Sequence, residues 1–80
     1  MMEKIMEILK ELRPDVDFMA EKELIDGGIL SSFDIFNLVG ELSDAFDIEI
    51  ETDDIVPGNF NSAEGIYQLI QRVLAGEKNT

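Results

Sequence analysis

The chain has 80 residues and a net charge of −12, with eighteen Asp and Glu against six Lys and Arg, a balance that repels nucleic-acid phosphates and anionic membranes and suits either solubility or docking to basic protein patches. Histidine and cysteine are both absent, so no disulfide staples the fold, no imidazole can activate a serine, and an enzyme built on a nucleophile–base pair is excluded. Apolar residues make up 45% of the chain, enough for one core in one domain, and neither a bilayer-length apolar run nor a basic, apolar leader is present, so a soluble, cytoplasmic monomer is expected.

The first predicted helix lies between Glu3 and Arg13, where Ile5, Ile8, Leu9 and Leu12 follow the i, i+3, i+4, i+7 spacing of one helical face. Met1, Met2 and Met6 read as a frayed start and the edge of the core. Pro14 ends the helix by disfavouring helical geometry at Arg13. The connection from Pro14 to Leu30 is long for a compact domain. Its apolar residues, Val16, Phe18, Met19, Leu24, Ile25, Ile29 and Leu30, are expected to pin it across the core, with Gly27-Gly28 as a turn.

The second helix is predicted from about Ser32 to Phe46, with Ile35, Leu38, Val39, Leu42, Ala45 and Phe46 on its apolar stripe. Ile48-Glu49-Ile50 alternates too briefly to make a sheet. Thr52, Asp53 and Asp54 read as the cap and first turn of a short helix through Val56, stopped by Pro57-Gly58. The last helix is expected to start from a cap at Asn61 or Ser62, to carry Ile66, Leu69, Ile70, Val73 and Leu74, and to close at Gly76. Gly65 in its first turn costs about 1 kcal/mol of helix propensity against alanine, and Glu77 to Thr80 should fray. The fold class is all-α, a bundle of three long helices and one short one around a shared core.

The chemistry concentrates at Ser31 and Ser32. Ser31 suits the N-cap of the second helix, and Asp34 three residues on completes an S-x-x-D capping box with its carboxylate on the helix dipole. Asp26 and Asp34 together are expected to crowd negative charge there. Ser32 then falls at the first helical position with its hydroxyl facing outward. It is either a second solvated serine or a modification site, because a phosphate ester there would meet free backbone N–H groups and the positive end of the dipole.

The segment "ELIDGGILSSFDIFNLVGELSDAFDIEI", with "DIVPGNFNSAEGIYQLI" downstream, resembles the acyl and peptidyl carrier proteins over about residues 4 to 75. The family's pattern is an apolar-acidic approach, a glycine, an aliphatic, an aspartate–serine pair and an amphipathic acidic helix, and this chain follows it except at the aspartate. The resemblance implies a small acyl-carrier-like bundle, with residues 1–80 as one carrier domain and an ordered core of about 3–76. It also implies covalent 4'-phosphopantetheine on Ser32, whose terminal thiol holds acyl or aminoacyl groups as thioesters. A phosphopantetheinyl transferase would install the group, and loading and acyl-transferring enzymes with basic patches would dock on Asp34, Glu41, Asp44 and Asp47. Ser31 stands where the family has aspartate. Asn37, Ser43 and Ala45 stand where fatty-acid carriers commonly hold Glu, and the "GGIL" approach and the "DIVPGNF" segment look more like the stand-alone D-alanyl and peptidyl carriers. The competing expectation is an acidic protein-binding adaptor with no prosthetic group.

Two further signals are weighed. Asp47, Glu49, Glu51 and Asp53 alternate like the first ligands of a calcium loop. The glycine and bidentate Glu that the loop needs at its sixth and twelfth places are Thr52 and Gly58, so no dedicated metal site is expected, only weak, diffuse divalent binding. Phe33 and Phe36 are read as core residues, with Phe36, one position off the stripe, alternatively lining a groove for the prosthetic arm or its cargo.

Overall fold

A computed structural model describes residues 1–76. The expectation that Glu77 to Thr80 fray lies outside the described residues. Helix α1 spans Met2–Leu12, α2 Ser32–Phe46, α3 Pro57–Phe60 and α4 Ala63–Leu74, with a 3-10 turn at Thr52–Asp54 between α2 and α3. No strand forms among the described residues. The three main helices have 11, 15 and 12 residues. Each is too short to persist alone in water, so packing must hold it.

That packing follows the apolar stripes. Ile5, Ile8 and Leu9 of α1 meet Leu38 and Leu42 of α2 and Ile66, Leu69 and Ile70 of α4 in one core. Helix α1 packs against both α2 and α4, and α3 against α4. No polar or charged side chain is buried among the described residues. Burial of each Leu or Ile contributes roughly 1.5–3 kcal/mol. Met2 and Met6 pack at the edge of this core as expected. Two residues placed on apolar stripes by periodicity lie outside it instead, Leu74, half exposed at the end of α4, and Ala45, exposed; Met19, expected to pin the connection, is 70% exposed.

The long connection is pinned by Phe18, Leu24 and Leu30, all buried, with a turn closed by Gly27 N–H to Glu23 O and Gly28 N–H to Ile25 O. A second anchor was not legible. Asn61 Oδ1 accepts from the backbone N–H groups of Ile25 (2.9 Å) and Asp26 (3.0 Å), and its amide donates to Asp26 Oδ2 (2.9 Å). The Asn61 carbonyl also accepts from Leu24 N–H. Asn61 thus clamps the connection to the α3–α4 corner rather than capping α4. Ser62 caps α4 by accepting from Gly65 N–H at 3.0 Å.

The corner differs from the expected one in a second way. The chain from Thr52 makes only a three-residue 3-10 turn, and Pro57 opens α3 instead of stopping a helix. Its fixed φ and missing N–H suit the first helical position, where an N–H has no intrahelical acceptor. Helix α3 delivers Phe60 into the core, fully buried. Gly65 is explained by the same corner: a Cβ there would lie 3.1 Å from Asn59 O and 3.3 Å from Gly58 O. The propensity it forfeits lets α4 start directly against α3.

Candidate functional site at the start of helix α2

The chain enters α2 from Leu30 in extended geometry, with Ser31 at φ −84° and ψ 172°. Ser31 Oγ accepts from Asp34 N–H at 3.2 Å, and Asp34 Oδ2 accepts from Ser31 N–H at 3.0 Å. The capping box is therefore reciprocal, and loss of such a cap costs about 1 kcal/mol. Ser32 follows at the first helical position and is exposed. In the first turn of a helix the N–H groups lack intrahelical acceptors. The box satisfies that of Asp34, and those of Ser32 and Phe33 remain beside the Ser32 hydroxyl.

Arg13, at the end of α1, ties this turn to the rest of the molecule. Its Nη1 donates to Ile29 O at 2.8 Å and to Asp34 Oδ2 at 3.2 Å, while Nε and Nη2 grip Asp15 at 3.2 and 3.1 Å. The Ser31 N–H, aided by the Ser31 hydroxyl contact and the Arg13 guanidinium, holds the Asp34 carboxyl below the usual carboxylate range. The same Arg13 fork depresses Asp15. Of the two acids expected to crowd negative charge there, Asp26 accepts from the Asn61 amide and Asp34 is paired with Arg13, which offsets its charge.

The four acids singled out on α2 fall into two groups. Asp34, with its side chain only 17% exposed, is committed to the cap and to Arg13. Glu41, Asp44 and Asp47 are exposed along the rest of the helix. Asp47 also closes α2, at φ 52° and ψ 50°, a left-handed conformation that Asp tolerates better than most residues. Among the described residues no group of acids is arranged to hold a metal ion.

The largest departure from sequence expectation lies beside Ser32. Phe33 and Phe36 are not in the core; they are 73% and 76% exposed. At about 100° per residue, the buried Leu38 and Leu42 define one side of α2. Phe33, Phe36, Gly40, Asp44 and Asp47 lie on the opposite side. Gly40 is exposed, and nothing lies within 4 Å of where its Cβ would be. A glycine in mid-helix sacrifices about 0.5–1 kcal/mol against alanine, and no neighbour in the fold requires it here.

The chain is similar to known proteins along most of its length. Proteins named D-alanyl carrier protein from Streptococcus sanguinis (strain SK36), Streptococcus gordonii and Streptococcus thermophilus (strain ATCC BAA-491 / LMD-9) are each 32% identical to it over 66 residues. The match spans 81% of this chain and 84% of each relative. The chain belongs to the D-alanyl carrier protein family. Its role is thus that of a carrier protein, and the likeness of the "GGIL" and "DIVPGNF" segments to the D-alanyl carriers agrees with those relatives. No protein-family profile matches the chain, and no solved structure does. No helix among the described residues is long and apolar enough to cross a membrane.

Proposed function

We propose that residues 1–80 act as one cytoplasmic carrier domain in which Ser32 bears 4'-phosphopantetheine through a phosphate ester. The observation that carries this reading is the position of Ser32: exposed, first in α2, and held there by the Ser31–Asp34 box. A phosphodiester fits that position. The free N–H groups of the first turn and the positive end of the helix dipole favour an anion, and Arg13 draws the Asp34 carboxylate into an ion pair. Bound there, the group supplies the thiol that this cysteine-free chain lacks, and acyl or aminoacyl groups ride on it as thioesters. D-alanine is the cargo that the relatives' name supports.

The chain's own contribution is placement. The box fixes the first turn of α2, Arg13 fixes the box to α1, and the core fixes both helices. A phosphopantetheinyl transferase and the loading enzymes supply the catalysis and dock on α2, where Glu41, Asp44 and Asp47 meet basic patches and Asp34 presents the attachment turn.

Incubation with coenzyme A and a phosphopantetheinyl transferase, followed by mass spectrometry, tests the assignment. Wild type and Ser31→Ala gain one adduct, and Ser32→Ala gains none while its melting stays within about 0.5 kcal/mol of wild type. An adduct on Ser32→Ala would refute the site. No adduct on wild type would favour an acidic adaptor without a prosthetic group.

A further inference from the structure

The turn that begins α2 is a poor place for a second negative charge unless something offsets the first. Asp34 already stands there, two residues beyond Ser32, with its side chain only 17% exposed and so little screened by water. The positive end of the helix dipole amounts to about half a unit charge. It falls short of a carboxylate and a phosphodiester together. From Glu23 to Gln71 the chain has eleven acids and no Lys or Arg, so a compensating cation has to come from outside that segment.

Arg13 supplies one, and its geometry is fixed from two sides. Nε and Nη2 grip the Asp15 carboxylate at 3.2 and 3.1 Å, a fork that sets the plane of the guanidinium. Nη1 is thereby aimed at Ile29 O (2.8 Å) and Asp34 Oδ2 (3.2 Å). The two carboxylates differ in surroundings. The Asp15 side chain is 64% exposed, so water weakens its claim on the charge, whereas Asp34 is largely covered. A neutral donor to Ile29 O would be enough to tie α1 to the connection. The charge of Arg13 acts at Asp34.

We propose that Arg13 is the counter-ion of the modified serine: its ion pair with Asp34 lets the first turn of α2 carry the phosphodiester on Ser32 without losing stability. The inference rests on the carrier reading above and gives a residue at the end of another helix a part in it. Arg13 is a positioning residue, acting through Asp34 and the Ser31 N–H that Asp34 holds. Its loss and the modification of Ser32 are then non-additive in stability, as changes in one charge network are. An Arg13 that only braced the fold would leave them additive.

The melting temperature of the modified form minus that of the unmodified form reads this coupling. Coenzyme A and a phosphopantetheinyl transferase make the modified form, with conversion followed by mass until complete, and melting is recorded at about 0.1 M salt. In wild type the modified form melts at or above the unmodified one. In Arg13→Gln, which keeps a donor for Ile29 O, the modified form melts about 2–6 °C below the unmodified one, the shift that a surface charge interaction gives in a domain of this size. Asp34→Asn removes the carboxylate instead and moves the difference about 2–6 °C upward from wild type; it decides the matter if Arg13→Gln does not fold. Lys4→Gln, the same change in net charge near the other end of α1, keeps the wild-type difference, and raised salt shrinks both shifts. If wild type gains its adduct while Asp34→Asn or a folded Arg13→Gln keeps the wild-type difference within about 1 °C, the counter-ion role is overturned and the carrier reading stands. If wild type gains no adduct, both are overturned.

Discussion

Asp34 is the residue through which the fold and the proposed attachment point communicate, and its removal gives the sharpest test. Its carboxylate accepts from Ser31 N–H and from Arg13, while its own N–H is capped by Ser31 Oγ. In Asp34→Ala the reciprocal half of the box is lost, at about 1 kcal/mol, and so is the charge on the helix dipole, at about 0.3–1 kcal/mol. The expected total is about 1.5–2 kcal/mol. In a domain of this size that lowers Tm by roughly 6–15 °C. Asp34→Asn keeps an acceptor for Ser31 N–H and loses only the charge, so about half of that fall is expected. The pH dependence has a fixed sign. The folded-state pKa of Asp34 lies below its unfolded value, so its contribution is complete above the unfolded pKa of about 4 and disappears as pH falls through the folded one. Wild type therefore loses stability relative to Asp34→Asn on acidification, and the two melting curves converge in acid. Thermal melting by circular dichroism at neutral pH and at successively lower pH measures both effects. Melting of Asp34→Ala within about 1 °C of wild type, or a gap to Asp34→Asn that persists in acid, would refute the capping argument.

Two other outcomes follow from the same geometry. Ser31→Asp keeps a capping oxygen for Asp34 N–H, and Arg13 offsets part of the added repulsion, so stability changes by less than about 1 kcal/mol in a chemical melt; modification of Ser32 by a transferase that reads a carboxylate there speeds up, and equal kcat/KM for both forms would show that this position is not read. Asp44→Lys slows association with a loading enzyme in stopped-flow traces, and raised salt slows wild type toward the same rate; salt-independent association would rule out steering by the α2 acids.

Much of the fold was legible because its helices are amphipathic with clear punctuation. The stripes of α1, α2 and α4, the stop at Pro14 and the Ser31–Asp34 box each rest on spacing within one short segment, and the structure shows them at or within a residue of the expected places. What failed were features set by contacts between distant segments. Local preference leaves the cap of α4 open between Asn61 and Ser62; Ser62 takes it, and the Asn61 side chain instead reaches Ile25 and Asp26, thirty-six and thirty-five residues away. Arg13 drew no attention as an isolated base, yet it bridges to Asp34 across twenty-one residues. Pro57 was read as a stop because a proline ends a preceding helix and opens a following one, and only the position of Phe60 in the core decides between the two.

The candidate site shows a different kind of failure, and it is informative. The rule that large apolar side chains are buried assigns Phe33 and Phe36 to the core, with a groove for the prosthetic arm as the alternative for Phe36, and nothing in the sequence singles out Gly40 inside a helix that its neighbours favour. In the structure both local rules are broken on one face of one helix, within eight residues of Ser32. A chain selected only to fold would hide the rings and replace the glycine, because both changes raise the stability of the free domain. The box at Ser31 and the ion pair at Arg13 work in the opposite direction: they stiffen the turn that presents Ser32. Rigidity at the proposed attachment residue and forfeited stability on the face beside it are what a carrier needs if other proteins are to find, hold and release it. Departures from local consistency that cluster in this way point to function rather than to error in folding.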